Sequence, residues 1–191
     1  MPSDRDLIIQ LQQGQLDALG LLYDRHQKMV FRTALGITGD EHAAADLLQE
    51  VFLRLHRFVH HLDPARPLEP WLYRTTANLT YTWLKRRKRW FRPLEDFGEW
   101  IAGNKKHSPA TTMEIGDEWQ QLQKAVSALP LNQRTVVVLF YVDDLSLQEI
   151  SEILDLPPGT VKSRLHYGRR AIKKYLEADG IQPGVVNYEY T

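Results

Sequence analysis

A chain of 191 residues has room for one domain or two small ones at the ~150 residues a domain usually takes, which excludes a large multidomain enzyme. With 43% hydrophobic and 25% charged residues it has the make-up of a folded globular protein, and with no cysteine it has no disulfide, thiolate nucleophile, iron–sulfur cluster or cysteine zinc site. The zero net charge conceals separated blocks: residues 71–92 hold seven basic side chains and no acidic one, and residues 158–176 hold six and none. Solvated surfaces usually mix the signs, so two acid-free basic blocks point to two polyanion contacts. No apolar run approaches the ~20 residues needed to span a bilayer, and Met1 to Asp6 lack the basic and apolar regions of a signal peptide. The expected location is the cytoplasm, without stable membrane insertion.

Nearly every periodic segment repeats at about 3.6 residues, so the expected fold class is all-α, as two small helical domains joined by a flexible linker. A first short helix near 4–12 breaks around Gly14. The second, from about Gln15 to Leu35, offers Leu16, Leu19, Leu22, Tyr23, Val30, Phe31 and Ala34 to a core. Thr38-Gly39-Asp40 reads as a turn with Asp40 placed to cap the next helix, about 41–59, whose stripe is Ala44, Leu47, Leu48, Val51, Phe52, Leu55 and Val59. Residues 61–70 carry three prolines and read as a loop, and a fourth helix starts close to Pro70-Trp71. From about Phe91 to Gly116 the periodicity fades into a linker. A helix at about 117–128 follows, and the apolar run Val136 to Tyr141 is expected to be a buried helix, because a lone strand would have no sheet to join. The expected domains are residues 1–92 and 117–176, with a linker at 93–116 and a tail at 177–191.

Ser146-Leu147-Gln148-Glu149 fits a capping box, and Leu147, Ile150, Ile153 and Leu154 form the stripe of the helix it opens. Leu156-Pro157-Pro158-Gly159 stops that helix and Thr160 is placed to cap another. At ~100° per residue Val161, Leu165, Gly168, Ile172 and Leu176 share one face, opposite Lys162, Ser163, His166, Arg170 and Lys173. A short helix, a tight glycine-containing turn and a basic second helix describe a helix-turn-helix whose second helix enters the major groove. An antiparallel helix pair with a solvated basic face is the alternative. Gly168, costly in a helix interior, is expected to mark close packing.

In the first basic block Leu72, Thr76, Leu79 and Trp83 share a packing face, and Trp71, Arg74, Asn78, Tyr81, Thr82, Lys85 and Arg89 share much of the other. Asparagine hydrogen-bonds base edges, arginine neutralises phosphate or stacks, and Trp or Tyr offers a platform to an unstacked base, a combination suited to partly single-stranded DNA. The run Lys85 to Arg89 adds salt-dependent attraction to the backbone. On the 41–59 helix Asp46, Gln49, Glu50, Leu53 and Arg57 form a polar face with one leucine in it, either solvated or a protein-docking surface. His56 and His60 stand i, i+4 with His61 beside them, but no suitably spaced carboxylate completes a metal site, and no metal or cofactor is expected.

The assembled motifs resemble the extracytoplasmic-function (ECF) group of bacterial sigma factors, over about residues 5–176. Ala45-Asp46-Leu47-Leu48-Gln49-Glu50-Val51-Phe52-Leu53-Arg54 is similar to that family's polymerase-binding helix, and Pro70-Trp71-Leu72-Tyr73-Arg74-Thr75-Thr76-Ala77-Asn78 to the start of its promoter-melting helix. Leu129-Pro130 through Ile150, with Gly159 to Leu165, are similar to its helix-turn-helix. The resemblance implies region 2 and region 4 domains, binding to core RNA polymerase and promoter DNA, and an anti-sigma factor as a candidate regulator. By position it implies that Asp46, Gln49, Glu50 and Leu53 contact the polymerase clamp, and that Trp71, Arg74 and Asn78, with Tyr81 and Lys85 on the same face, act at the minus-ten element. Lys162, Ser163, Arg164, His166 and Tyr167, followed by Arg170 and Lys173, would serve the minus-thirty-five element. The 61–70 loop, which in that family helps hold a flipped base, has little aromatic character near its end here. A conventional helix-turn-helix regulator is the competing reading, but it would need a dimerisation or ligand domain where residues 1–92 offer a second nucleic-acid face. An enzyme acting on nucleic acid would need clustered acids or a nucleophile with its base, and neither is present.

Overall fold

The computed structural model describes residues 2–90 and 117–178, and these are helical throughout apart from turns and loops. Eight α-helices follow one another: α1 (Asp4–Gln12), α2 (Asp17–Thr38), α3 (Glu41–Phe58), α4 (Glu69–Trp90), α5 (Asp117–Ala128), α6 (Leu131–Tyr141), α7 (Leu147–Leu154) and α8 (Pro158–Ala178). The expected linker and C-terminal tail lie almost wholly outside the described residues.

The helix ends follow from local chemistry. Ser3 and Asp6 exchange hydrogen bonds in a capping box at the start of α1, and Gly14, at φ +85°, takes the left-handed conformation that ends it. Gly39 does the same after α2 at φ +67°. Asp40 then accepts from the Ala43 amide at 3.0 Å, as its position predicts, and that hydrogen bond holds its carboxyl below the usual carboxylate range. Ser146 and Glu149 form the second capping box, opening α7.

α1 to α4 enclose a core of Leu7, Leu22, Val30, Val51, Leu55 and Leu72, and all seven stripe residues expected of α3 are buried. α6 to α8 enclose a second core of Val136, Leu139, Ile150, Val161 and Leu165. Burying each of these aliphatic side chains stabilises by roughly 1.5–3 kcal/mol, which is what lets α6, rich in β-branched residues, remain helical. Gly168 provides the close approach expected of it: a Cβ there would stand 2.7 Å from Val137 Cγ2.

Three expectations are corrected. Leu16 is 62% exposed, because it stands at the end of α2 ahead of the packed turns. Thr160 is not a cap: α8 already starts at Pro158, whose missing N–H costs nothing in a first turn. The turn before α8 is not built on glycine either, since Asp155 takes the left-handed position at φ 54° and Gly159 lies inside the helix.

The two units pack directly on each other, which the periodicity did not foretell. Tyr73 of α4 belongs to the core of the C-terminal unit, and burial there, with the Asp143 charge close by, pushes its hydroxyl up to about 12. α2 approaches α6 so closely that a Cβ at Gly36 would meet Val138 Cγ1 at 2.9 Å.

Candidate nucleic-acid interface

α4 delivers the residues of the first basic block in two directions. Trp71, Thr75 and Asn78 are spaced by four and three residues, so they line one strip of the helix. Together with Arg54, Phe58, His61 and Leu62 they enclose an open cleft of about 290 Å³. Trp71 packs partly on the N-terminal core, which fixes its ring, and Asn78 is exposed at the rim. The aromatic character lacking near the end of the 61–70 loop is supplied from its beginning: Phe58 ends α3, half exposed, and its ring centroid lies 6.1 Å from that of His61. Neither residue was singled out as a base contact by the sequence. The available sign was that Phe58 is a large hydrophobic residue in the last turn of α3 outside its buried stripe.

Arg74 does not join Trp71 and Asn78 in this cleft. It lies ~60° around the helix from Trp71, toward α7. Its Nε donates to the Ile153 carbonyl at 2.7 Å and Nη2 to the Glu152 carbonyl at 2.6 Å. Tyr81 is 53% exposed and Lys85 is also exposed. Within the basic run Arg87 reaches Asp40 at 2.9 Å and stacks over the Trp83 ring at 5.1 Å, so part of its charge is engaged by the protein itself.

On α8 Lys162, Ser163, His166, Tyr167, Arg170 and Lys173 are exposed while Val161, Leu165 and Gly168 are buried, and Arg164 lies half-buried at the boundary. His166 and Tyr167 meet edge to face at 5.4 Å. Ser163 donates its hydroxyl to the Thr160 carbonyl at 2.9 Å, which leaves its oxygen as an acceptor, and Lys173 stands 3.7 Å from Glu177. This is one helix with a packed face and a basic face, positioned by α7 and the Asp155 turn.

On α3 Asp46, Gln49 and Leu53 are exposed, Leu53 by 52%, and Glu50 is half-buried. An apolar side chain ringed by acids and an amide suits a protein partner better than DNA, whose phosphates the carboxylates would repel. Among the described residues the three groups close enough to share a cation are Asp4, His26 and Glu69, not the histidines at 56, 60 and 61. Asp4 is already bonded to both Arg25 and His26.

The Sigma-70 region 2 family model matches residues 22–90 and the Sigma-70, region 4 model matches residues 119–172. Over 179 residues the chain is 32% identical to the ECF RNA polymerase sigma factor SigW of Bacillus subtilis, which covers 88% of this chain and 94% of that one. It is 30% identical over 152 residues to SigM of the same organism, covering 80% and 91%. A solved structure of the sigma factor RpoE in complex with the anti-sigma factor NepR, from Bartonella quintana, shares the fold with a TM-score of 0.65 at 21% identity, over 84% of this chain and 97% of that one. With two sigma-70 regions in order and a relative of this similarity matched over nearly its whole length, the chain belongs to the ECF RNA polymerase sigma factors, which bind RNA polymerase, direct it to promoters and are not enzymes.

Proposed function

We propose that this sigma factor divides its work among three surfaces. The α3 face of Asp46, Gln49, Glu50 and Leu53 docks on core polymerase. The cleft between α3 and α4 accepts one extruded base of the minus-ten element, with Arg74, Tyr81 and Lys85 along the same strand. The basic face of α8 reads the minus-thirty-five element, with Lys162, Ser163, Arg164, His166 and Tyr167 near base edges and Arg170 and Lys173 on phosphate. In this reading region 2 occupies residues 1–92, region 4 residues 117–176, with a linker at 93–116 and a tail at 177–191. The protein works in the cytoplasm, and no described helix is long and apolar enough to cross a membrane. An anti-sigma factor is a fitting regulator, since a structural relative is described in complex with one.

The observation that carries this reading is the cleft. At about 290 Å³ it sits at the lower end of ligand-sized clefts, ~300–1,000 Å³, which suits a single base. Trp71, Phe58 and His61 offer ring faces, Asn78 a paired donor and acceptor, and Arg54 a cation. Unstacking a base costs a few kcal/mol, within reach of stacking at ~1–3 kcal/mol per base plus one good polar contact.

Run-off transcription with purified core polymerase tests the reading, on a duplex promoter and on one with a pre-opened minus-ten bubble. Asn78→Ala, Trp71→Ala and Phe58→Ala should lose product on duplex and recover much of it on the bubble. Equal loss on both templates would point to a folding or docking defect, and no loss on either would remove the cleft from melting.

A further inference from the structure

Asp4, His26 and Glu69 lie far apart in the sequence, share no motif and belong to none of the three surfaces above, yet the fold brings them together. Asp4 opens α1, His26 lies near the middle of α2 and Glu69 opens α4. One atom able to bind a metal from each residue lies within 4.8 Å of the other two. His26 is only 5% exposed, and a polar ring at that depth needs a partner. Asp4 supplies it, Oδ2 accepting from His26 Nε2 at 2.8 Å. The other Asp4 oxygen accepts from Arg25, whose guanidinium also donates to the Pro2 carbonyl at 2.7 Å.

A buried histidine satisfied by one carboxylate is an ordinary structural pair, but the pair does not account for Glu69. Its carboxylate approaches the same point, and among the described residues no hydrogen bond or ion pair holds it there. A helix start favours an acid, which explains a glutamate at this position but not its approach to a second carboxylate, since like charges so close repel. A cation shared by the two carboxylates removes that repulsion.

The donor set selects the cation. One imidazole nitrogen with two carboxylate oxygens suits a divalent first-row transition ion, whereas magnesium and calcium are held by oxygen. Zinc binds such atoms at ~2.0–2.2 Å, so three ligands that share it stand ~3–3.5 Å apart. His26 and Asp4 are already about that close, and the exposed, flexible side chain of Glu69 can cover the remainder by rotation. Arg25 orients the Asp4 carboxylate from outside the site, as hydrogen-bonding partners of metal ligands commonly do, and leaves Oδ2 to the ion.

We propose that Asp4, His26 and Glu69 bind one divalent transition ion of the zinc class, with water in its remaining positions. The ion takes the place of the Nε2 proton, which passes to solvent, and ties the starts of α1 and α4 to α2. Trp71 follows Glu69 by two residues, so the bound ion also steadies the end of α4 that lines the cleft, and only this consequence rests on the promoter reading above.

The test uses the full-length protein, stripped of metal with EDTA, and zinc chloride. Isothermal titration calorimetry should show a single zinc ion per chain bound in the micromolar range. Zinc should raise the unfolding temperature by several degrees, and magnesium chloride should not. Glu69→Gln and Asp4→Asn should each weaken zinc binding by about tenfold or more, with circular dichroism reporting the fold. Glu69 is exposed, so Glu69→Gln decides alone if Asp4→Asn fails to fold. Undiminished zinc binding in Glu69→Gln would place the ion on other histidines and overturn the site. No zinc binding by the wild type, or equal stabilisation by magnesium, would overturn it as well. Calorimetry reads the ion without DNA or polymerase, so failure of the promoter reading would leave these outcomes unchanged.

Discussion

Arg54 Nε donates to the Glu50 carboxylate at 3.1 Å, one turn apart on α3, and this pair ties the proposed polymerase-docking face to the cleft between α3 and α4. Glu50 belongs to the proposed docking surface, whereas Arg54 lines the cleft beside Phe58 and Trp71. The two candidate surfaces are contiguous through one ion pair.

Substitutions on α3 should therefore separate into two kinds. Asp46→Lys should weaken binding to core polymerase and leave binding of a single-stranded minus-ten oligonucleotide unchanged. Glu50→Lys should weaken core binding and also disturb the cleft, by setting a cation against Arg54. Glu50→Gln removes only a part-exposed helical pair worth ~0.3–0.5 kcal/mol, so its effect on the oligonucleotide should stay below about threefold. Fluorescence anisotropy for the oligonucleotide and a pull-down with core, alongside circular dichroism for the fold, measure all three. Unchanged core binding by the Asp46→Lys, Glu50→Lys double variant would show the docking assignment to be wrong.

On the recognition helix Lys162→Ala, Ser163→Ala and His166→Ala should each relax base preference at one upstream position, at a cost of ~1–3 kcal/mol. Arg170→Ala and Lys173→Ala should weaken binding to all sequences alike and flatten the salt dependence by about one unit of slope. Selection from a randomised upstream element distinguishes the groups. An unaltered preference in the first three variants removes them from direct readout.

Gly168→Ala should destabilise region 4 even though alanine is the better helix former. The ~1 kcal/mol gained in propensity is outweighed by overpacking at ~1–3 kcal/mol, because the new methyl lands 2.7 Å from Val137 Cγ2. Adding Val137→Ala removes the opposing methyl and should restore part of the loss. Denaturation midpoints of the two variants decide the matter: a Gly168→Ala protein more stable than wild type would mean that α8 sits further from α6.

Burial pushes the Asp143 carboxyl above its ordinary 3.8, against the opposing hydrogen bonds of Thr33 and Arg32. The form with its two units packed together thus binds a proton more readily than one with Asp143 in water. Its contribution to stability is greatest below the ordinary carboxylate value and is lost as pH rises through the raised value. Among the groups around it, Tyr73 stays neutral over that range. Asp143→Asn should keep the units packed together and flatten this dependence, read as the difference in urea-unfolding free energy between variant and wild type at several pH values just above 3.8. A difference that does not change with pH would refute the assignment.

The helices, three of their N-caps and the separation into two basic surfaces were legible in the sequence because each depends on residues within a few positions of one another. The α3 stripe, the start of α7 and the packed face of α8 are of this kind, whereas the left-handed Asp155 that ends α7 was not read. So was family membership, since its motifs are contiguous. What periodicity could not supply is the meeting of elements far apart in the chain. Phe58 and His61 become cleft residues only because α4 returns alongside the end of α3. Arg74 parts from Trp71 and Asn78 only because α7 supplies carbonyls on its side, and Tyr73 is buried only because a second unit covers it. A sequence pattern reports which face of a helix is apolar, but the partner of a polar or amphipathic side chain is chosen by tertiary packing, where the free energy of satisfying a buried donor or acceptor outweighs local preference.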